Sequence, residues 1–225
     1  KGVGYIITIS STSDTTAPSI NNSSPTASAT YSTTTSTISL SGTASDNIGV
    51  TSVTWSSDKG GSGSATGSTS WSVSGITLSS GANVITVTAK DQADNSSTDT
   101  LTVTYAVPTP GTIALSAVAY STAESSPTVT ISATRTGGSS GAASVQYSTS
   151  NGTATAGSDY TTASGTLNWA DADSANKTFT IAITNDLTDE VNETINIALS
   201  SVNGATLGTP ASAVLNITDN DSAPT

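Results

Sequence analysis

Val84-Ile85-Thr86-Val87-Thr88 and, one turn later, Leu101-Thr102-Val103-Thr104-Tyr105 decide the fold class. Apolar and hydroxyl-bearing residues alternate in both, so each stretch has one apolar and one polar face, the period of a half-buried β-strand. The same alternation recurs at residues 37–41 and 50–55, with turn residues between the runs at Asp46-Asn47, Lys59-Gly60-Gly61-Ser62-Gly63, Ser80-Gly81-Ala82-Asn83 and 91–95. It continues through 113–119, 128–134, 145–149, 165–169, 177–183, 194–199 and 213–217, seven further expected strands. Short strands at this spacing predict an all-β chain of two tandem β-sandwiches.

Composition agrees. Ser and Thr make up 86 of 225 residues, charged residues 9%, and there is one Phe and no Met. Leu-poor, Val/Ile/Thr-rich chains fit pleated surfaces better than helical packing. The length is enough for two cores. Residues 1–16 are expected to be a strand and linker from a preceding domain, with Lys1-Gly2-Val3-Gly4-Tyr5-Ile6-Ile7-Thr8-Ile9-Ser10 as a strand lacking a partner and residues 11–24 as a Ser/Thr/Pro-rich connector. The first sandwich is expected over 17–106, a linker over 107–111, the second sandwich over 112–222, and the start of another linker over 223–225.

With no Cys and no His, the chain has no disulfide framework and lacks the usual ligands for zinc, copper and iron. A net charge of −11 argues against nucleic acid and offers no basic patch to an anionic membrane. No apolar run near 18 residues and no export signal is recognisable, so membrane insertion is not expected and the chain reads as part of something longer. The negative charge is focused. Residues 108–225 hold ten acids and two bases, 2 − 10 = −8, and eight of the ten acids are Glu124 or fall in three turns. Those turns are Gly157-Ser158-Asp159-Tyr160, the stretch Asn185-Asp186-Leu187-Thr188-Asp189-Glu190-Val191-Asn192-Glu193, and Asp219-Asn220-Asp221. Clustered side-chain oxygens without His or Cys suit a hard cation, and calcium accepts about 6 to 8 of them where magnesium demands a tighter octahedron. The competing reading is that turn acids merely serve the backbone and solvent.

Two resemblances follow from particular residues. Gly42-Thr43-Ala44-Ser45-Asp46-Asn47-Ile48-Gly49-Val50 and Asn83-Val84-Ile85-Thr86-Val87-Thr88-Ala89-Lys90-Asp91 resemble bacterial immunoglobulin-like modules of secreted and surface proteins. Gly152 to Tyr160, Gly165-Thr166-Leu167, the central acidic loop and Ile217-Thr218-Asp219-Asn220-Asp221 occur in the order seen in Calx-β domains, which residues 111–222 resemble almost end to end. That resemblance implies calcium ions in the loops at one end of the sandwich. Matched by position, the ligands would be Glu124, Asp159, Asp186, the Thr188 carbonyl, Glu190, Glu193, Asp219 and Asp221. Asn185 and Asn220 stand where acids can occur, which implies fewer ions or weaker affinity. A weaker cation site would need Asp14, Asp46 and Asp91 to meet, and turn aspartates with only backbone roles are the preferred reading there.

Catalysis is not expected, because no nucleophile, His or cleft-forming insertion accompanies the acids. The expected role is a calcium-stiffened structural or adhesion module of a large secreted or cell-surface bacterial protein. Its expected partners are neighbouring domains of the same chain and a surface glycan or protein. Two rivals remain: a carbohydrate- or partner-binding accessory module of an extracellular enzyme, marked by an exposed Trp55–Trp71 pair, and a polymer subunit exchanging the strand at 1–10. Trp169 follows the alternation of a core residue.

Overall fold

Residues 13–223 are described by a computed structural model, in which the chain divides into two compact units between Val107 and Pro108. The expected all-β fold is observed. The expected strand at 1–10, and the polymer reading built on it, lie outside the described residues.

In the first unit the strands are β1 (Ser19–Ser24), β2 (Thr30–Thr33), β3 (Thr37–Ser45), β4 (Val50–Ser57), β5 (Ser62–Ser64), β6 (Ser70–Thr77), β7 (Gly81–Asp91) and β8 (Ser96–Tyr105). They form a three-stranded sheet, β1-β3-β6, and a five-stranded sheet, β2-β8-β7-β4-β5. Neighbours are antiparallel except β2 with β8. Alternation places Ile85, Val87 and Ala89 of β7 and Ile38, Leu40 and Ala44 of β3 inward. Trp71 on β6 is 2% exposed. Its ring lies against Gly42, where any Cβ would strike the ring and the Asn21 carbonyl, so the glycine is what lets the indole cross the sheet.

Two expectations are corrected here. Residues 19–24, read as connector, form β1 and pair with β3 from Ser19↔Ser45 to Ser24↔Ser41. Polar Asn22 occupies an inward position beside Ile20, and that hid the alternation. Trp71, whose burial the sequence leaves open, belongs to a strand that periodicity does not reveal, because the inward sequence Trp71, Val73, Ile76 skips a residue where the register with β3 shifts.

The second unit contains β9 (Thr112–Leu115), β10 (Ala119–Ala123), β11 (Thr128–Thr136), β12 (Ala143–Asn151), β13 (Tyr160–Thr161), β14 (Ser164–Trp169), β15 (Lys177–Ile183), β16 (Glu193–Asn203), β17 (Thr206–Leu207) and β18 (Ser212–Thr218). Its sheets are β10-β18-β16-β12-β14 and β13-β15-β11-β9-β17, with β10–β18 and β9–β17 parallel. Ile113, Ile131, Val145, Ile181, Ile195 and Leu215 fill the space between them. Tyr147 of one sheet stacks on Phe179 of the other with ring centroids 3.9 Å apart. Trp169 is buried, as expected, and its indole N–H donates to the Ala175 carbonyl at 2.7 Å. The run expected as one strand over 113–119 is instead two. The chain leaves one sheet after Leu115, exposes Val118 and joins the other sheet at Ala119.

Candidate metal centre

At one end of the second sandwich, the inward-facing positions change from apolar to acidic. On β18, Ala213, Leu215 and Ile217 face the core, and the same parity continues into Asp219 and Asp221. On β16 the inward series Ile195, Ile197, Leu199 is preceded by Glu193, which pairs with Ile217. Glu124 follows β10, whose last residue Ala123 pairs with Thr218, and the Glu124 N–H donates to the Thr218 carbonyl at 2.9 Å. Strand pairing thus assembles carboxylates from segments nearly a hundred residues apart.

Asp159 arrives on the loop between β12 and β13. Gly157 at φ +93° allows the turn, and the Thr155 N–H donates to Asp159 Oδ2 at 2.6 Å. The next residue, Tyr160, is fully buried and anchors the loop through its hydroxyl to Asn151 Oδ1 at 2.8 Å. The Asp159 carbonyl accepts the Thr184 N–H at 2.9 Å, tying this loop to the start of the acidic loop after β15.

Two groups of three carboxylates result. Glu124, Asp219 and Asp221 form one, and Asp159, Glu190 and Glu193 the other; in each, one oxygen per residue lies within 4.8 Å of the others. Both groups border a single small cavity of about 10 Å³, lined by Glu124, Asp159, Glu190, Glu193 and Asp219 with Val191 and Ile217. That is room for about one water-sized particle before any side chain moves. Asp219 Oδ1 and Asp221 Oδ2 are buried without a hydrogen-bond donor. Among the described residues, the Lys and Arg ion pairs are Lys59–Asp58, Lys90–Asp94 and Lys177–Asp173, none of which reaches these groups.

The electrostatic consequence is mutual repulsion in a partly desolvated site. Burial, then the charge of Asp159, pushes the Glu193 carboxyl up to about 7, with Glu190 and Glu124 adding to it. Glu124, 6% exposed, is raised mainly by burial, which outweighs the hydrogen bond from the Asp186 N–H. Glu190 is also raised, by desolvation and by Asp159 and Asp186; because its side chain is exposed, the neighbouring charges are the firmer cause. Buried oxygens without donors, repelling carboxylates and an all-oxygen ligand set fit a hard cation and no softer metal.

Six of the seven carboxylates named from the sequence fall in these two groups. Asp186 joins neither among the described residues. Its N–H donates to Glu124 Oε1 at 3.1 Å, and its Oδ1 accepts the Thr188 N–H at 2.6 Å, which shapes the loop between the groups. Asn192, not singled out by sequence, contributes its amide oxygen to the Asp219 N–H at 3.2 Å and joins two of the acidic segments. No motif marks it; only strand register places it beside Asp219. Asp14, Asp46 and Asp91, for which backbone roles were preferred, do meet: one oxygen of each lies within 4.8 Å of the others.

An immunoglobulin-like sandwich with acids gathered at one loop end defines a class of cation-binding β-module. The chain belongs to the Calx-beta domain family, whose model matches residues 108–221. Residues 18–107 match the model of glucodextranase, domain B. Among solved structures, the apo form of the Calx CBD1 domain is 29% identical, with 49% of this chain and 97% of that chain covered and a TM-score of 0.47. The calcium binding domain CBD12 of CALX1.1 is also 29% identical, with 50% of this chain covered and a TM-score of 0.47; the chain spans 47% of that structure's length. No curated protein matches the chain.

Proposed function

We propose that the second domain binds calcium at its acidic end and thereby acts as a calcium-rigidified structural or adhesion module of a large secreted or cell-surface bacterial protein. The observation that carries this reading is the pair of carboxylate groups, one of which holds two buried oxygens without a donor, on Asp219 and Asp221. Glu124, Asp219 and Asp221 would hold one ion and Asp159, Glu190 and Glu193 another, with Asp186 and the Thr188 carbonyl on the loop between them. Without metal these segments repel one another. Bound calcium cancels the repulsion and cross-links the loop after β10, the β12–β13 loop, the loop after β15 and the segment after β18. Binding to the folded state alone stabilises it by RT ln(1 + [Ca]/Kd), about 2.7 kcal/mol at 100 times Kd. Both domains are read as non-catalytic.

Calorimetric titration of the full chain with calcium chloride tests this. Calcium is expected to bind, and Asp159→Asn with Glu193→Gln should remove one binding event while Asp219→Asn weakens the other at least about ten-fold. Binding unchanged by all three substitutions would defeat the ligand assignment.

The glucodextranase domain B match favours a second reading, an accessory module of an extracellular polysaccharide-acting enzyme. The exposed tryptophan pair that reading called for does not form: Trp71 is buried, and Trp55 is half-buried with Gly61 and Gly63 against its ring. Glycan binding would therefore need other residues. Among the described residues no helix is long and apolar enough to cross a membrane.

A further inference from the structure

We infer a separate calcium site in the first domain, formed by Asp14, Asp46 and Asp91. Its construction repeats the logic of the second domain on unrelated residues. Asp91 continues the inward series Ile85, Val87, Ala89 of β7 and is 3% exposed. Asp46 stands two residues beyond Ala44, in the inward parity of β3 on the opposing sheet. Asp14 precedes β1, and its backbone carbonyl accepts the Asn95 amide at 3.2 Å. The core of the first sandwich thus ends in three carboxylates within 4.8 Å of one another.

Hydrogen bonding fixes these side chains but leaves oxygens over. Asp91 takes the N–H groups of Ala93 and Asn95 on Oδ1 at 2.7 and 2.9 Å, and the Asn95 amide on Oδ2 at 2.8 Å. Asp46 takes the N–H groups of Ile48 and Gly49 on Oδ2 at 2.8 and 3.0 Å, and Asp14 takes Thr16 N–H and the Asn47 amide on Oδ1 at 3.0 and 3.3 Å. Asp46 Oδ1 and Asp14 Oδ2 remain, both without solvent exposure and without any donor. A buried carboxylate oxygen left in that state is strongly unfavourable unless a proton or a cation meets it. No Lys or Arg among the described residues pairs with any of the three.

A divalent cation satisfies both orphan oxygens and the repulsion together. Asn47 and Asn95 reach the same carboxylates through their amide nitrogens, and turning either amide by half a revolution presents an oxygen instead. Three carboxylates, amide oxygens and water make a shell of the size calcium takes. The ion would fasten the segment ahead of β1 to the β3–β4 and β7–β8 turns, where that segment is already held by the Ser97 hydroxyl donating to the Pro18 carbonyl.

The test uses the full chain carrying Glu124→Gln, Asp159→Asn, Glu193→Gln and Asp219→Asn, so that the second domain is silenced. Amide resonances of residues 14–16, 46–49 and 91–95 are followed by NMR as calcium chloride is added. Saturable shifts confined to these residues below about 10 mM calcium are expected. Adding Asp14→Asn and Asp46→Asn, which spare the strongly hydrogen-bonded Asp91, should weaken the response at least roughly ten-fold while the other resonances keep their positions. No saturable shift, or one unchanged by the two further substitutions, overturns the site. Because calcium binding by the second domain is read as the loss caused by substitutions in that domain, either proposal can fail without the other.

Discussion

Glu193 shows how a single side chain couples this domain to pH. Its carboxyl sits at about 7 in the folded protein, against an ordinary 4.5, because burial and the Asp159 charge disfavour ionisation. The folded chain therefore holds this proton more tightly than the unfolded chain between those values. The Glu193 contribution to metal-free stability is fully present below about 4.5 and is lost as pH rises through about 7. Calcium demands the ionised form, so calcium affinity should rise over the same interval. Thermal unfolding in EDTA across this range should show the second domain's midpoint falling with pH, and Glu193→Gln should flatten the slope. A midpoint that climbs through this window would mean that the acidic groups do not repel as described.

At the scale of elements, β11 separates two tasks. Its first residue, Thr128, lies at the acidic end, and near the other end Arg135, 2% exposed, donates to the carbonyls of Pro110, Ser140, Gly141 and Asp173 at 2.7–3.2 Å. One guanidinium thus replaces the strand partners that three irregular segments lack. Arg135→Met should destabilise the domain by about 3 kcal/mol or more, since several carbonyls lose their donor at once. Denaturant unfolding measures that loss, and calcium affinity should stay within about two-fold because the ligands lie at the far end of the strand. Both sandwiches were legible in the sequence wherever alternation was unbroken, as in β7 and β8. It failed at β1, where Asn22 takes an inward position, at β6, where a register shift breaks the period, and at residues 116–118, where the chain changes sheets. The acidic segments were legible as a group, and the parity running from Ile217 into Asp219 and Asp221 was present in the sequence too. How the acids divide into two groups depends on which strands pair, as does the meeting of Asp14 with Asp91; neither is a local property of the chain.

For the whole molecule, a net charge of −11 is not a uniform coat but is gathered, in each domain, where the core runs out. Such a chain is predicted to be loosest at those ends without metal and firm throughout with it. In the second domain, calcium is expected to bind the acidic end and order it. Hydrogen exchange of the full chain, followed by mass spectrometry in EDTA and in millimolar calcium with magnesium as control, tests this without truncation. The account predicts calcium-specific slowing of exchange around Glu124, in residues 155–160, in 184–193 and around 219–221, with little change at the Arg135 end. Exchange in those four segments that is the same with calcium as with EDTA would contradict it.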